Sequence, residues 1–95
     1  MDIKIVFSNG YVRDVPNLPG GVSVQVYNYD LDRFSKESQE PDPEGKPCVA
    51  TIWTRYPEDK LGKTVYVVRH TVRIAIKKRK IEIVDCPKGI TVRVI

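Results

Sequence analysis

The chain has 95 residues, of which 41% are hydrophobic and 29% charged, and its formal net charge is +4. This length suits a single domain, and this composition excludes a wholly disordered chain. Residues 1–60 hold seven Lys or Arg against ten Asp or Glu, whereas residues 61–95 hold nine against two. Such asymmetry indicates either a charged partner or two parts of one fold that attract each other.

The N-terminal residues Met1–Phe7 lack the basic start and long apolar core of a signal peptide, and no apolar stretch could cross a bilayer as a helix. We therefore expect a cytoplasmic protein without membrane contact. Cys48 and Cys86 stand alone, without the further cysteines or histidines that a zinc site needs. They are expected to be reduced thiols, with a single disulfide as the alternative.

In chain order, the first predicted elements are strands, because apolar residues alternate with polar ones. Residues 3–7 and 11–15 flank Asn9-Gly10, a strong hairpin signal since both of these residues tolerate positive φ. A turn at 16–21, rich in proline and glycine, leads to a third strand at 22–26 whose valines share one face.

Residues 30–47 lose this alternation and combine six carboxylates with three prolines and a glycine. We expect a long, mobile acidic loop here, with one or two turns of helix in 31–39 after Asp30 as a cap. The carboxylates lack the ligand order of a calcium-binding EF-hand, so no metal site is expected. The candidate protein-interaction residues of this loop are Asp30, Asp32, Phe34, Glu37, Glu40, Asp42 and Glu44.

The remaining sequence predicts four more strands. The longest, Thr64–Ile76, exceeds the usual strand length, so we expect a bend or bulge near 69–71. It places His70, the only histidine, on an apolar face, which favours a packed, hydrogen-bonded side chain over a catalytic one. The other predicted strands are Cys48–Arg55, Ile81–Val84 and Ile90–Val94, with turns at 57–63, 77–80 and 85–89.

A cluster of basic residues lies on and after the longest strand. A cationic β-ribbon can follow a phosphate backbone, so this cluster is the candidate surface for nucleic acid or an acidic partner. A run of charges in a turn is also a common solubilising feature. The residues are Arg69, Arg73, Lys77, Lys78, Arg79 and Lys80. The sequence contains no nucleophile elbow, phosphate-binding glycine loop or zinc-protease motif, so neither an enzyme nor a cofactor is expected.

Two segments of the chain resemble each other. Pro19–Val26 aligns with Pro87–Val94, matching the proline, one glycine and two valines, and each segment follows a predicted strand. One interpretation is a duplicated hairpin with approximate two-fold symmetry. The other is that unrelated hairpins reuse the same turn residues.

The strand at 21–30 ends in Tyr27-Asn28-Tyr29-Asp30, and the acidic stretch leads to Gly45-Lys46-Pro47-Cys48 and a strand with Trp53. This pattern resembles a group of small uncharacterised bacterial and phage proteins, in which a valine-alternating strand ends in Asp-Tyr-Asp before an acidic insert. The resemblance covers residues 10–53, and Asn28 replaces the aspartate that is usual in the group. It implies a bacterial or mobile-element cytosolic setting and no catalytic residue.

Together these elements predict an all-β fold: a small sandwich, roll or partly open barrel of about six to seven mostly antiparallel strands. Residues 1–95 form one domain, with the acidic loop at about 30–47. The predicted function is a non-catalytic interaction module that binds a protein partner or itself through a β edge or this loop, one version being a phage or mobile-element accessory protein. The alternative is a nucleic-acid-binding protein that uses the basic strand and turn at 69–80, with binding that weakens steeply with salt.

Overall fold

A computed structural model of the chain describes residues 1–55 and 68–95. The predicted turn at 57–63 and the start of the predicted strand, at 64–67, lie outside the described residues. The strands in the described ranges are β1 (Asp2–Ser8), β2 (Tyr11–Asp14), β3 (Val22–Asn28), β4 (Glu40–Pro41), β5 (Pro47–Thr54), β6 (His70–Lys77), β7 (Lys80–Asp85) and β8 (Thr91–Val94). No helix in these ranges is long and apolar enough to cross a bilayer.

The strands form two mixed sheets. One has three strands in the order β2-β1-β8, and the other has five in the order β4-β5-β3-β6-β7. β1 runs parallel to β8, and β3 parallel to β6, whereas the other neighbours are antiparallel. The all-β prediction is confirmed, and the described strands close no barrel. The two-residue β4 was missed because it is too short to show alternation.

One core joins the two sheets. Ile3 and Ile5 from the smaller sheet, and Val24, Val72 and Ile74 from the larger one, are all fully buried. They alternate with residues that face away from the core, since successive side chains of a strand point to opposite faces. Each such buried side chain stabilises the fold by roughly 1.5–3 kcal/mol. The period-2 pattern in the sequence therefore decides which face of each strand is buried.

Two parts of the chain follow the same order of strands. We name residues 2–28, with β1, β2 and β3, the first repeat, and residues 70–94, with β6, β7 and β8, the second repeat. Each begins with an antiparallel hairpin, and its third strand pairs in parallel with the first strand of the other repeat. The registers are equivalent, because Ile3 lies beside Val92 as Val72 lies beside Val24. Exchanging the two repeats leaves this pairing scheme unchanged.

The turns of the repeats also correspond. Both hairpin turns use two residues with positive φ, 53° and 81° at Asn9-Gly10 and 51° and 61° at Lys78-Arg79. The turns at 19–22 and 87–90 each contain a glycine at positive φ, 82° and 88°. The last N–H of each of these turns donates to the first carbonyl, at 3.4 and 3.2 Å. This agreement favours the duplicated-hairpin interpretation over a chance reuse of turn residues.

The acidic segment contains regular local structure. Two 3₁₀ turns, Leu31–Arg33 and Lys36–Ser38, lie within the stretch that was predicted to contain short helix. β4 then pairs antiparallel with β5, with Glu40 opposite Cys48. The segment predicted as a long loop is therefore two short turns followed by a hairpin.

One local prediction is wrong. His70 is exposed rather than packed, because it is the first residue of β6 and lies at the end of the sheet, opposite the first residue of β3. The irregularity expected near 69–71 is present, because the consecutive N–H groups of Arg69 and His70 both donate to the Gly21 carbonyl, at 2.7 and 3.1 Å, as at a β-bulge. The pairing of β6 with β3 is then regular from His70 to Ile76, and a second irregularity lies between Arg73 and Ile74, in the pairing with β7. Cys48 and Cys86 are free thiols, as expected.

Candidate interaction surfaces

The six candidate basic residues do not share one surface. Arg69 precedes β6 at one end of the sheet, whereas the turn Lys78-Arg79 lies at the other end. Arg73 and Lys77 lie on the side of β6 that faces away from the core, as strand alternation requires. Lys80 is opposite Lys77 across the hairpin. The sequence cluster is therefore divided among two ends and one face of the sheet.

The basic turn is bound to the start of the acidic segment. Asp30 Oδ1 accepts the main-chain N–H of Lys78 at 2.6 Å, and Oδ2 accepts that of Arg79 at 2.9 Å. Both residues have positive φ, which costs a non-glycine residue about 1–2 kcal/mol. The carboxylate offsets part of this cost and places a negative charge against the turn. The turn is therefore a poorer phosphate site than its four basic residues suggested.

Asp42 organises the hairpin between β4 and β5. Its Oδ1 accepts the main-chain N–H groups of Glu44 and Lys46 at 2.8 Å each, and its Oδ2 accepts the Tyr29 hydroxyl at 2.7 Å. The hydrogen bond from Tyr29 lowers the pKa of the Asp42 carboxyl. Burial, reinforced by the same hydrogen bond, raises the pKa of Tyr29. Asp42 thus fixes the hairpin between β4 and β5 through these hydrogen bonds.

Phe34 also has its contacts within the chain. Its ring meets that of Tyr11 edge-on, with the centroids 5.8 Å apart and the planes at 88°. The Arg33 guanidinium lies over the same tyrosine, 4.1 Å from its ring centroid. These contacts fix the first 3₁₀ turn against the first hairpin. The remaining candidates of the acidic segment are exposed carboxylates, namely Asp32, Glu37, Glu40 and Glu44.

The side of the five-stranded sheet that faces away from the core, which we name the outer face, is centred on Tyr27. This residue lies between Ala50 on β5 and Ala75 on β6. The alanines leave a depression on each side of the tyrosine, of about 300 Å³ towards β6 and about 370 Å³ towards β5. The charged residues that line the first depression are Lys46, Arg73, Lys77, Asp42, Glu44 and Glu82. Because three positive charges face three negative ones, this depression is not expected to bind a polyanion strongly.

The third strands of the two repeats differ in their neighbours. In the first repeat, β3 lies between β6 and β5. In the second repeat, β8 pairs with β1 on one side, and no strand within 1–55 and 68–95 pairs with its other side. We name this other side the β8 edge.

The main-chain groups at the β8 edge can be assigned from the hydrogen bonds on the opposite side. The N–H groups of Thr91 and Ile95 donate to carbonyls at the β1 side, at 2.8 and 2.9 Å. Alternate residues of a strand face opposite neighbours, so the N–H and C=O groups of Val92 and Val94 point to the β8 edge.

The β8 edge also leaves apolar side chains exposed. Val26 on β3 is 4% exposed, whereas Val94, its equivalent on β8, is 40% exposed. The large apolar side chains exposed on β7, β8 and the residue after it are Ile83, Val84, Val94 and Ile95. Sequence reasoning did not find this edge. The alignment of Pro19–Val26 with Pro87–Val94 indicated that β3 and β8 are equivalent, but the sequence does not show which of the two strands lacks a neighbour.

Comparison with known proteins gives no family for these surfaces. No protein-family model, curated protein or solved structure matches this chain. The resemblance to small bacterial and phage proteins therefore stays a prediction. Within the described ranges, no group of three or more His, Cys, Asp or Glu side chains is placed to hold a metal ion.

Proposed function

We propose that the protein is a non-catalytic interaction module that binds an extended segment of a protein partner, or of a second copy of itself, along the β8 edge. One observation supports this most directly. β5 lies against β3 on the side where β8, the equivalent strand, has no described neighbour. An incoming strand would complete in the second repeat the pairing that the first repeat already has.

An added strand would gain main-chain hydrogen bonds and apolar contacts together. Val92 and Val94 offer N–H and C=O groups, and each net hydrogen bond contributes roughly 0.5–1.5 kcal/mol. The added strand would also cover the exposed part of Val94. On β3, Trp53 of the antiparallel β5 lies opposite Val24. A segment that alternates apolar and polar residues and runs antiparallel to β8 therefore suits this edge.

A peptide copy of β5 tests the proposal. The peptide of residues 47–55, with serine replacing Cys48 and a fluorescent label, should bind the protein saturably when followed by fluorescence anisotropy. Val94→Pro removes an N–H at the β8 edge but none that faces β1, and it should weaken peptide binding about tenfold.

Val12→Pro is the matched control, because Val12 lies on β2, at the opposite edge of the same three-stranded sheet. Circular dichroism should show that both variants remain folded. Absence of peptide binding to the wild type, or an equal loss in both variants, would contradict strand addition at the β8 edge.

The proposal includes a biological setting. We place the module in the cytoplasm of a bacterium or phage-infected cell, as an accessory protein that acts by binding. The support for this setting is the resemblance of residues 10–53 to small bacterial and phage proteins.

A second candidate function, binding of single-stranded nucleic acid, is favoured by one feature of the outer face. Arg73 and Lys77 lie beside Tyr27, where a base could stack while the two cations contact phosphates. Asp42 and Glu82 line the same depression and oppose a polyanion. Oligonucleotide binding that falls steeply with salt and is lost in Arg73→Ser/Lys77→Ser would favour this function. No binding at low salt would exclude it.

A further inference from the structure

β7 presents the same kind of free edge as β8. It pairs with β6 on one side, and within residues 1–55 and 68–95 no strand pairs with its other side. Lys77 and Lys80 flank a two-residue turn and therefore form a hydrogen-bonded pair. By alternation, Ile81 and Ile83 direct their main-chain N–H and C=O groups to the free side of β7.

We propose that the strand bound at the β8 edge is β7 of a second copy of this chain, an inference that rests on the proposed function. In an antiparallel register, Val92 of one copy lies opposite Ile83 of the other, and Val94 opposite Ile81. Residues of both strands then direct their free main-chain groups at each other, which is the condition for a hydrogen-bonded pair.

The same register brings opposite charges together. Arg93 of one copy lies opposite Glu82 of the other, in a non-hydrogen-bonded pair whose Cα atoms are about 4.5 Å apart. A shift of two residues in one direction would place Arg93 opposite Lys80, and a shift in the other direction would place it opposite Val84. Only the register with Glu82 therefore gives a favourable cross-strand ion pair at this position.

The apolar side chains fit the same arrangement. Ile81 and Ile83 pair with Ile76 and Ile74, both buried, so they lie on the core side of their sheet. Val94 occupies the core side of its own sheet, as its equivalent on β3 does. Ile83 and Val94 are each 40% exposed in the single chain. Pairing β7 with β8 would place these apolar side chains beside each other and the charged pair on the solvent side.

The proposed contact is two-fold symmetric. β2 lines cavities together with Trp53 of β5, so β8, at the other edge of the smaller sheet, lies on the same side of the molecule as β7. Only five residues, Cys86–Ile90, connect these two strands. A two-fold axis between two copies places β7 of each opposite β8 of the other. Each three-stranded sheet then continues into the five-stranded sheet of the partner copy. Such an isologous arrangement uses the free edges of β7 and β8 and yields a dimer rather than a fibre.

Sedimentation velocity over a wide concentration range tests the inference. The wild type should convert from monomer to dimer as its concentration rises. Glu82→Arg and Arg93→Glu should each raise the dimer dissociation constant about tenfold or more, because like charges then face each other across both contacts. The double variant, in which the two charges are exchanged, should regain most of the wild-type affinity. Glu37→Arg makes the same charge change at an exposed site outside both edges and is the control.

Mixing the two single variants gives the sharpest result. In a mixed dimer, one contact joins the two substituted side chains as an oppositely charged pair, and the other contact retains the original Glu82 and Arg93. The mixture should therefore dimerise at concentrations where each variant alone does not. Thermal unfolding should show that each variant is folded. A monomer at every concentration, or a dimer that ignores the charge changes, overturns the inference. If the β5 peptide still binds in either case, the proposed function stands and only the identity of the partner fails.

Discussion

The two repeats share strands, turns and parallel register, yet their third strands have different surroundings. β3 lies inside a five-stranded sheet, and its Val26 is 4% exposed, whereas β8 ends a three-stranded sheet and its Val94 is 40% exposed. Both strands alternate valine with polar residues, so local sequence does not explain the difference. The cause is β5, which covers β3 and has no described counterpart on β8. A free strand edge can thus arise from topology while composition stays the same.

Removal of equivalent valines should give the largest contrast between the repeats. Val24 is fully buried under β5 and the core, so Val24→Ala should lower the free energy of unfolding by about 2–3 kcal/mol. Val92, its equivalent on β8, is only half-buried, and Val92→Ala should cost roughly half as much. Urea denaturation at concentrations where the protein is monomeric measures both values. Equal losses would show that the β8 edge is covered in the single chain.

The hairpin turns should differ in their dependence on a carboxylate. Asp30→Ala leaves the N–H groups of Lys78 and Arg79 without their acceptor and should lower the free energy of unfolding by about 1–3 kcal/mol. Asp32→Ala, at an exposed position two residues later, should change it by less than about 0.5 kcal/mol. Thermal unfolding of both variants checks the prediction, which fails if the two substitutions cost the same.

The turns before the third strands should respond alike. A Cβ at Gly89 would meet no atom within 4 Å, so Gly89→Ala is penalised only by the positive φ of 88°. We expect a loss of about 1 kcal/mol in the free energy of unfolding, and a smaller loss for Gly89→Asn, because asparagine tolerates this conformation better. Gly21→Ala, at φ 82°, should cost at least as much if the repeats are equivalent. Urea denaturation of the three variants decides this, and a neutral Gly89→Ala would contradict it.

The smallest expected effect is a change in acid stability around Asp42. Its pKa is lowered in the folded protein, chiefly by the Tyr29 hydroxyl, so its stabilising contribution is present above the unfolded value and is lost as pH falls through the folded one. Tyr29→Phe should therefore flatten the loss of stability between about pH 5 and pH 2. Tyr27→Phe, whose hydroxyl bonds to Gln25, is the control and should leave that slope unchanged. Identical slopes in both variants would contradict this role of Tyr29.

Period-2 alternation was sufficient to predict most of the strands and their buried faces. It placed β1 and β3 within two residues of their bounds and the end of β6 within one, because valine and isoleucine at alternate positions form one side of a shared core. It could not show that β3 and β8 exchange partners between the repeats. Parallel pairing joins residues that are far apart in sequence, and the same alternation suits either partner.

The candidate sites were less accessible to sequence reasoning. Run length alone suggested that Lys77–Lys80 form one basic surface, but the strand-to-turn transition divides them, and Asp30 reaches the turn from 48 residues away. Phe34 and Asp42 looked available for a partner, although both are held by tyrosines that lie elsewhere in the sequence. The sequence gives no reason to pair Arg93 with Glu82 until the free edges of β7 and β8 are known.

Residue-resolved hydrogen exchange of the valine amides on β3 and β8 tests the central claim most directly. In dilute, monomeric protein, the amides of Val24 and Val26 should be protected, and those of Val92 and Val94 should exchange fast. Raising the protein concentration, or adding the β5 peptide, should slow exchange at Val92 and Val94 and leave exchange at Val24 and Val26 unchanged. Fast exchange there under every condition, or protection already in the dilute monomer, would contradict an open edge that takes up a strand.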